Sequence, residues 1–387
     1  MSAETLGLYI HVPFCEKRCS YCAFVTWTER GEQESSYFDA LERELRARCA
    51  GHAFDSVYFG GGTPSLPNPT RLARVLGLLR EVATILPGAE ITLEVNPESC
   101  DEQRAATWRE AGFNRASVGV QSFDPKVLEV AGRLHGPDGP PRAMTALRAA
   151  GFENVSVDLI AGLPHETATS LADSRSRALD LAPEHVSLYL LELDEAGKMS
   201  PLAASVRAGR VRAASDDEMA DWYEASREDL SAAGLPAYEI SNFARAGRQS
   251  RHNLKYWRCE PFLGAGVAAH WQGEDGVRRF NVSGFEAYVA ALSSDEGARR
   301  GEAEDPASRS GLPADRGQDR VMLGLRLSEG IDLAGIEAEL PGSHARFLPI
   351  LERHVENGLL CREGFRFRLT LRGALLSNEV FGEIVSA

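Results

Sequence analysis

The segment LYIHVPFCEKRCSYC, residues 8–22, joins an apolar strand to three closely spaced cysteines. Cys15, Cys19 and Cys22 follow the apolar run Leu6–His11 with the spacing Cys-x3-Cys-x2-Cys, and no fourth cysteine lies close by. Three thiolates can bind three irons of a [4Fe–4S] cluster, which leaves the fourth iron without a protein ligand. The spacing therefore predicts an iron–sulfur cluster whose open iron can bind a small molecule.

The cysteines have two alternative uses, a structural zinc site and disulfide bonds. A closed zinc site needs four ligands, and His11 could supply the fourth, although it lies on the strand and not in the loop. Disulfides suit small secreted chains and not a chain of 387 residues. The spacing favours the cluster over both. The remaining cysteines are scattered, and we expect ordinary buried or half-buried side chains at Cys49, Cys100, Cys259 and Cys361.

Composition limits the partners and the location. The formal net charge of −14 argues against a nucleic-acid partner, because such a partner needs a broad basic surface. No apolar run reaches the length of a transmembrane segment, and residues 1–7 lack the basic and apolar regions of a secretory signal. We therefore expect a cytoplasmic protein, and we leave open a peripheral contact with a membrane.

Apolar strand-like segments alternate with helix-like segments through the first half of the chain. The predicted strands are Leu6–His11, Ser56–Phe59, Ile91–Val95, Ala116–Val120, Val155–Ile160 and Val186–Leu191. The predicted helices include Ser36–Arg48, Pro69–Val82, Glu102–Ala111, Arg142–Ala149 and Ser170–Leu181, with capping signals at Asn68 and Ser99. Strand–helix repeats predict a parallel α/β sheet with right-handed crossovers. Six units are too few for an eight-fold barrel, so the expected fold is an open, partial (β/α)6 barrel.

The unusual motifs of this half all fall where a predicted strand ends. They are Cys15, Gly60–Ser65, Glu94 with Asn96-Pro97, Gly119–Phe123, Asp158 with Gly162–Pro164, and Glu192. The carboxyl ends of parallel strands meet on one rim, and in α/β barrels that rim carries the site. Their positions therefore predict that these motifs form one site.

The second half predicts an extension and a small C-terminal domain. Residues 1–235 form the expected barrel, 236–292 an extension, 293–317 a flexible linker rich in charge, Gly, Ser and Pro, and 318–387 a compact domain. The expected elements are helices at Asp216–Ala232, Asp319–Leu325 and Ser343–Asn357, a strand at Ala237–Ile240, and a hairpin of Leu359–Arg362 and Phe365–Leu369 with Glu363-Gly364 as its turn. Helices followed by a hairpin are typical of an α+β, winged-helix-like module.

Polar residues on the rim have chemistry suited to a nucleoside. The glycines at 60–62 let the backbone approach a ligand closely, unless they serve a tight turn needed only for packing. Glu94 can accept hydrogen bonds from two ribose hydroxyls, and a helix cap or a surface ion pair is the alternative. Gln121 can offer its amide, and Arg133 can pair with a carboxylate. Asp158 can serve the site or cap the next helix.

A histidine with neighbouring aromatic residues lies in the extension. His252, Tyr256 and Trp257 combine the usual axial ligand of haem iron with rings that pack on a flat macrocycle. His270, after a turn rich in glycine and alanine, is a second candidate ligand. The alternative is core packing around a hydrogen-bonded histidine, and side-chain chemistry alone favours this alternative.

These motifs together resemble the radical SAM superfamily and, within it, the family of oxygen-independent coproporphyrinogen III oxidase-like proteins. The resembling segments are Tyr9–Cys15, the three cysteines, Gly60–Ser65, Glu94–Pro97, Gly119–Phe123, Gly132–His135, Asp158–Ile160, Gly162–Pro164, His185–Tyr189 and Met322–Leu327. The true oxidases carry a fourth cysteine where this chain has Phe24, and a longer arm before the tyrosine. Both differences, and the segment His252–Trp257, resemble the haem-chaperone (HemW-like) members. Ala23 stands where the family commonly has Asp, a small departure that leaves the thiolates intact.

The resemblance implies that the open iron binds the amino and carboxylate groups of S-adenosylmethionine (SAM). It implies cluster ligation by Cys15, Cys19 and Cys22, and contact with SAM by Tyr9, Tyr21, Gly61, Gly62, Thr63, Glu94, Gln121, Arg133 and Asp158. It further implies a chaperone that delivers haem to haem-requiring acceptor proteins, with an electron donor if SAM is cleaved and with a homodimer left open. The alternatives are oxidation of coproporphyrinogen III or another radical reaction on a tetrapyrrole, and a structural metal-binding protein without SAM chemistry.

Overall fold

A computed structural model of the chain describes residues 5–28, 31–193, 200–273, 276–309 and 315–387. One large sheet dominates it. Its strands are β1 (Leu6–Val12), β2 (Ala53–Gly61), β3 (Thr84–Val95), β4 (Arg115–Gln121), β5 (Val155–Ala161), β6 (His185–Leu190), β7 (Asn242–Ala244), β8 (Phe262–Ala265), β9 (His270–Gln272) and β10 (Arg278–Phe280). Among the described residues their order is β10-β9-β8-β1-β2-β3-β4-β5-β6-β7.

The sheet confirms the predicted partial barrel. Strands β1 to β6 are parallel and neighbour one another in sequence order, and β8 adds a further parallel strand beside β1. Strands β7, β9 and β10 are antiparallel to their neighbours. The parallel strands read as nearly continuous apolar runs because helices or the barrel interior cover both of their faces.

Helices cross between the strands as the alternating segments predict. They are α1 (Gly31–Arg48), α2 (Pro69–Val82), α3 (Glu102–Ala111), α4 (Pro125–Ala131), α5 (Gly139–Ala149), α6 (Ala168–Asp180), α7 (Pro201–Arg207), α8 (Asp216–Ala232), α9 (Arg251–Trp257), α10 (Phe285–Ala291), α11 (Asp295–Arg299) and α12 (Pro306–Arg309). Within the described residues, no helix has both the length and the apolar character that crossing a bilayer requires.

One of the two predicted helix caps is confirmed and the other is wrong. The Asn68 side chain accepts a hydrogen bond from the backbone N–H of Thr70 at the start of α2. Helix α3 is capped by Asp101, whose carboxylate accepts from the N–H of Arg104, and not by Ser99. Ser99 lies in a short 3-10 helix, Pro97–Ser99, that precedes the cap. Asp101 occupies the position directly before the first helical residue, where a side-chain oxygen can accept from the first turn, whereas Ser99 lies two residues too early.

Residues from the extension and from the expected linker are folded into the barrel's core. The extension supplies β8, β9 and β10, whereas the strand expected at Ala237–Ile240 forms only isolated bridges and Asn242–Ala244 pairs with β6 instead. Residues 293–309 are not an extended flexible segment, because they contain α11 and α12 and bury Ala298 and Ala303 in the main apolar core. Residues 310–314 of the expected linker lie outside the described residues.

The C-terminal part has the predicted α+β organisation and its own apolar core. Its elements are α13 (Arg316–Arg326), β11 (Ile331–Asp332), α14 (Leu333–Glu339), α15 (Ser343–Glu356), β12 (Leu360–Glu363), β13 (Arg366–Leu369), α16 (Leu371–Leu375) and α17 (Ser377–Ser386). Strands β12 and β13 form the expected hairpin, with the turn one residue later than predicted, at Gly364-Phe365. Gly364 has a φ of +61°, which glycine adopts at no steric cost. Buried Val321, Phe347 and Phe367 belong to a core separate from that of the barrel.

Gly264 tests the junction between β8 and β9. A Cβ at Gly264 would lie 2.3 Å from the carbonyl oxygen of His270, so the two strands must separate in Gly264→Ala. We expect a loss of about 1–3 kcal/mol in the free energy of unfolding, measured by urea denaturation. Gly77, inside α2, is the matched control because its Cβ would meet nothing within 4 Å. Gly77→Ala should gain about 0.5–1 kcal/mol, and equal effects of the two changes would contradict the described junction.

Candidate cofactor site at the barrel rim

The cysteine loop is closed at its base by backbone hydrogen bonds. The N–H of Cys15 donates to the carbonyl of Trp27 at 2.9 Å, and the N–H of Trp27 donates to Pro13 at 2.8 Å. The ring Nε2 of His11 donates to the carbonyl of Val25 at 2.9 Å. These contacts hold the loop from residue 15 to residue 26 at the carboxyl end of β1, where the sequence predicts it.

Two helices also hold the middle of the loop. The backbone N–H and the hydroxyl of Ser20 donate to the carbonyls of Ala131 and Val130, at 3.0 and 2.7 Å, where α4 ends. The N–H of Leu202, in the first turn of α7, donates to the carbonyl of Ser20 at 2.8 Å. The cysteines are therefore fixed by three elements that are distant in sequence.

The sulfur atoms of Cys15 and Cys19 lie next to hydrogen-bond donors. The hydroxyl of Thr63 lies 3.6 Å from Sγ of Cys15, and Nη1 of Arg133 lies 3.6 Å from Sγ of Cys19. Burial, with a smaller contribution from the nearby Cys22 and Cys19, raises the pKa of the Cys15 thiol to about 11, while the hydrogen bond from Thr63 opposes the rise. Three thiols in one loop, with donors aimed at their sulfurs, fit the donor set of an iron–sulfur cluster, in which such hydrogen bonds tune the metal.

His11 is not available as a fourth zinc ligand. Its Nε2 donates to a backbone carbonyl, so its Nδ1 accepts from the hydroxyl of Tyr9 at 3.0 Å. Burial lowers the pKa of His11 to about 4, so the ring is neutral at pH 7. Both of its nitrogens already form hydrogen bonds, which leaves neither one free for a metal ion. In the described part of the chain, no three His, Cys, Asp or Glu side chains are gathered as ligands of a single metal ion.

The glycine segment after β2 packs directly against the start of the cysteine loop. Gly61 has a φ of +117°, and a Cβ there would lie 2.5 Å from the His11 ring. A Cβ at Gly62 would lie 2.7 Å from the carbonyl carbon of Pro13. The N–H of Thr63 donates to the carbonyl of Phe14 at 2.8 Å. Packing therefore accounts for both glycines, and it brings their backbone to the base of the cysteine loop.

Glu94 occupies the rim at the end of β3. One carboxylate oxygen accepts from the hydroxyl of Tyr58 at 2.9 Å, and the other accepts from the N–H of Gly61 at 3.0 Å. Burial raises the pKa of Glu94 to about 7, and the charge of nearby Asp158 adds to this rise. Both alternatives for Glu94 are wrong, because it caps no helix and, among the described residues, no basic side chain lies within ion-pair distance of it.

Asp158 lies in the middle of β5 and not at its end. Its carboxylate accepts hydrogen bonds from three serine hydroxyls, those of Ser117 at 3.0 Å, Ser156 at 3.1 Å and Ser187 at 2.7 Å. Helix α6 after this strand is capped by Thr167, so the capping role proposed for Asp158 is wrong. Burial raises the pKa of Asp158, while the serine hydroxyls and the charge of Arg115 oppose the rise, which makes Asp158 part of a polar layer below the rim.

Gln121 and Arg133 complete the rim on the side of β4. Gln121 has a φ of +67°, an uncommon conformation for a residue with a side chain, at a point where the pairing of β4 with β5 shifts by one residue. Arg133 donates through Nη2 to the carbonyl of Gly119 at 2.6 Å and to the amide oxygen of Asn96 at 2.9 Å. In the described residues no carboxylate lies within ion-pair distance of Arg133, although Tyr21, Cys19 and the more distant Glu98 act on its charge.

Tyr9 and Tyr21, both predicted to contact SAM, pack against different groups of residues. Tyr9, on β1, stacks on Tyr58 with ring centroids 6.2 Å apart. Tyr21, between the second and third cysteines, packs against a small apolar cluster that includes Leu163 and Leu202. The charge of Arg133 reaches Tyr21, while burial raises the pKa of the Tyr21 hydroxyl. Both rings therefore lie beside the rim residues.

The four residues considered for haem are not gathered into one site. His252 is buried, and its ring nitrogens are both engaged, Nδ1 with the Ser56 hydroxyl at 3.0 Å and Nε2 with the Tyr256 hydroxyl at 2.7 Å. Trp257 faces α13, where the guanidinium of Arg326 lies 4.3 Å from its ring centroid. This arrangement is the packed, hydrogen-bonded histidine that side-chain chemistry favours.

His270 lies apart from that group. It begins β9, is exposed, and stacks on Phe280 with ring centroids 5.0 Å apart. Strand β9 follows β8 on the far side of β1, whereas His252 belongs to α9 and contacts β2. The two candidate ligands therefore do not share one pocket wall.

Tyr58 and the three serines around Asp158 were not predicted from the sequence, although they hold Glu94 and Asp158 in place. Asn96, which lies in a predicted rim motif, accepts a hydrogen bond from Arg133. The serines carry a signal that alignment of the strands could have shown, because Ser117 pairs with both Glu94 and Ser156 in register. Tyr58 carried no such signal, since an aromatic residue within an apolar strand is ordinary.

Comparisons with known proteins show which families the chain is similar to. Residues 9–178 match the radical SAM superfamily, and residues 312–376 match the HemN C-terminal domain. The protein named heme chaperone HemW of Mycobacterium tuberculosis strain H37Rv is 38% identical over 388 residues, which covers 98% of this chain and 95% of the relative. The HemW of Bacillus subtilis strain 168 is 32% identical over 381 residues, covering 97% of each.

A solved structure shows the same fold. The coproporphyrinogen III oxidase (HemN) from Escherichia coli, described as a radical SAM enzyme, superposes with a TM-score of 0.82 over 98% of this chain and 90% of its own. Its sequence identity of 24% supports the likeness of fold alone. With relatives that are more than 30% identical over nearly its whole length, the chain belongs to the HemW family of the radical SAM superfamily.

Proposed function

We propose that the protein is a haem chaperone that holds a [4Fe–4S] cluster on Cys15, Cys19 and Cys22, binds SAM beside that cluster, and delivers haem to haem-requiring proteins. One observation carries the proposal. The three thiols share a loop that β1, α4 and α7 hold against the glycine segment, with Thr63 and Arg133 aimed at two of the sulfurs. The kinship with proteins named heme chaperone HemW supports the haem part.

Different rim residues bind different groups of SAM, according to their chemistry. A bound [4Fe–4S] cluster with an open iron would supply the attachment point for the amino and carboxylate groups of SAM. Glu94 accepts hydrogen bonds from the ribose hydroxyls, for which its ionised form is suited. Arg133 stabilises the SAM carboxylate, since none of the carboxylates in the described residues already forms an ion pair with its guanidinium. Tyr9, Tyr21, Gly61, Gly62, Thr63, Gln121 and Asp158 shape or support the same pocket.

The haem contact is supported by kinship and not by a particular histidine. His252 is engaged on both nitrogens, and His270 is exposed on another strand. The proposed acceptors are haem-requiring proteins reached from the cytoplasm, and an electron donor is required only if SAM is cleaved. The proposal does not depend on whether two copies of the chain form a homodimer.

The cluster should require all three cysteines of the loop. Because thiolate is the iron ligand, Cys15→Ala, Cys19→Ala and Cys22→Ala should each lose most of the bound iron and the brown absorbance after anaerobic reconstitution. Cys361→Ala is the matched control, since Cys361 is exposed in the C-terminal domain. A full cluster in Cys19→Ala would contradict the ligand assignment.

SAM affinity should rise with pH through the pKa of Glu94, which is about 7. Below that pH the carboxyl is protonated and has one acceptor less for the ribose hydroxyls, and above it the carboxylate can accept from both. Calorimetry with the cluster-loaded protein between pH 6 and 8 measures this rise. Glu94→Gln keeps the shape of the side chain, removes the rise, and weakens binding at pH 8 by about 1–3 kcal/mol. A steep rise that Glu94→Gln leaves unchanged would assign it to another group.

Haem binding separates the chaperone from an oxidase. The purified protein should take up haem with a Soret band and release it to a haem-free acceptor. The same preparation, loaded with cluster and SAM, should not convert coproporphyrinogen III anaerobically. If it binds no haem and oxidises coproporphyrinogen III, the oxidase is the correct function and the chaperone proposal fails.

A further inference from the structure

We infer that His252 and Tyr256 are positioning residues of the SAM site, which orient Glu94 through Tyr58, and that they do not bind haem iron. The inference rests on the SAM site proposed above and assigns the His252–Trp257 segment to it. Tyr58 connects the two, because its hydroxyl is one of the two donors that hold the Glu94 carboxylate, at 2.9 Å.

The orientation of the Tyr58 ring is set by rings on both sides. Tyr9 stacks on it with ring centroids 6.2 Å apart and planes 22° from parallel. His252 stacks on it with centroids 5.3 Å apart and planes 24° from parallel. A side chain held between two rings keeps its hydroxyl in one direction, and here that direction is the Glu94 carboxylate. Removing the His252 ring leaves Tyr58 free to tilt.

His252 is itself fixed to β2 and to α9. Its Nδ1 bonds the hydroxyl of Ser56, two residues before Tyr58 on the same face of β2, and its Nε2 bonds the hydroxyl of Tyr256 one turn later on α9. The backbone N–H of His252 donates to the carboxylate of Glu90 at 3.2 Å. An iron ligand would have to release one ring nitrogen and leave a buried hydroxyl without its partner. The contacts therefore support a structural histidine.

The charges around His252 also favour a neutral ring. Burial, together with the positive charges of Lys255 and Arg115, lowers the pKa of His252 to about 3, although Asp55 opposes this shift. A neutral ring has one donor and one acceptor nitrogen, which matches its two hydroxyl partners. It therefore keeps the same contacts throughout the pH range in which Glu94 titrates.

The groups that face Glu94 come from every neighbouring element. They are Tyr9 on β1, Tyr58 on β2, Gly61 after it, Arg115 on β4, Asp158 on β5, Tyr189 on β6 and Tyr256 on α9. Of these, the Tyr58 hydroxyl, the Gly61 N–H and Arg115 stabilise the ionised carboxylate, whereas Asp158 disfavours it. Loss or tilting of the Tyr58 hydroxyl should therefore raise the pKa of Glu94.

The far end of the segment ties α9 to the C-terminal domain. The Trp257 ring packs under the guanidinium of Arg326 on α13. Arg326 also contacts the buried carboxylate of Glu239 at 3.4 Å. Helix α9 therefore contacts two different parts of the protein. His252 and Tyr256 support the rim, and Trp257 packs against α13.

The test measures the protonation of Glu94 and the binding of SAM in matched variants. Infrared titration of the protein without SAM follows the protonated carboxyl band that Glu94→Gln removes. Calorimetry of the cluster-loaded protein follows SAM affinity against pH. The midpoint should move upward by about one pH unit in Tyr58→Phe, which loses the hydroxyl. It should move in the same direction in His252→Ala, and less in His252→Phe, which restores a flat ring beneath Tyr58.

The controls separate this effect from general damage. His354→Ala removes another buried histidine, in the C-terminal domain, and should leave the midpoint unchanged. Melting temperatures identify any variant that fails to fold, and His252→Phe keeps the test valid if His252→Ala does. The Soret band and haem retention should be unchanged in both His252 variants.

Two results would overturn the inference. One is a Glu94 midpoint that Tyr58→Phe moves and that both folded His252 variants leave in place. The other is a shifted Soret band with loss of haem in His252→Phe, which would make His252 the iron ligand. If the wild type binds no SAM while the infrared midpoint still moves in the His252 variants, the positioning of Glu94 holds and the SAM proposal fails. The two proposals can therefore fail separately.

Discussion

The carboxylate of Glu94, half-buried at the end of β3, is the constraint on which the rest of the site depends. Water does not surround it, so the hydroxyl of Tyr58 and the N–H of Gly61 must hold it. The second donor exists only because the chain turns sharply at Gly61, with a φ of +117°, directly below the His11 ring. The same ring bonds the carbonyl of Val25 in the cysteine loop. The Glu94 carboxylate thus links the glycine turn, the cysteine loop and β3.

The parallel sheet makes this arrangement possible because it directs all its strands to one rim. Strands β1 to β6 lie in sequence order, so each new strand end adds one group beside the last. The cysteine loop, the glycine turn, Glu94, Gln121 and Arg133 follow one another round the rim in that order. Below them three serine hydroxyls hydrogen-bond the half-buried carboxylate of Asp158, and the positive charge of Arg115 favours its ionised form. The rim therefore combines a cation at Arg133 with an acid whose pKa lies near neutrality.

Much of this could be predicted from the sequence, because the strands are apolar runs and the helices carry local caps. The predicted limits of α2, α3 and α8 are those of the structure. Long-range packing could not be predicted. Residues 293–309 look like a linker, yet Ala298 and Ala303 are small enough to enter the core beside α1. The contacts of His252 could not be predicted either, because its partners Ser56 and Tyr58 lie on a strand that is distant in sequence. Whether a histidine binds a ligand or packs in the core depends on such neighbours. The serines around Asp158 could be placed beside it only once the register of the neighbouring strands was known.

The most direct test is an anaerobic crystal structure of the protein loaded with cluster, SAM and haem. We expect three irons to be bound by Cys15, Cys19 and Cys22, and the ribose hydroxyls to lie within hydrogen-bond distance of Glu94. We also expect His252 to remain stacked on Tyr58, with both ring nitrogens bonded to hydroxyls and the haem elsewhere. Haem iron coordinated by His252, or a ribose away from Glu94, would show that the proposed site is wrong.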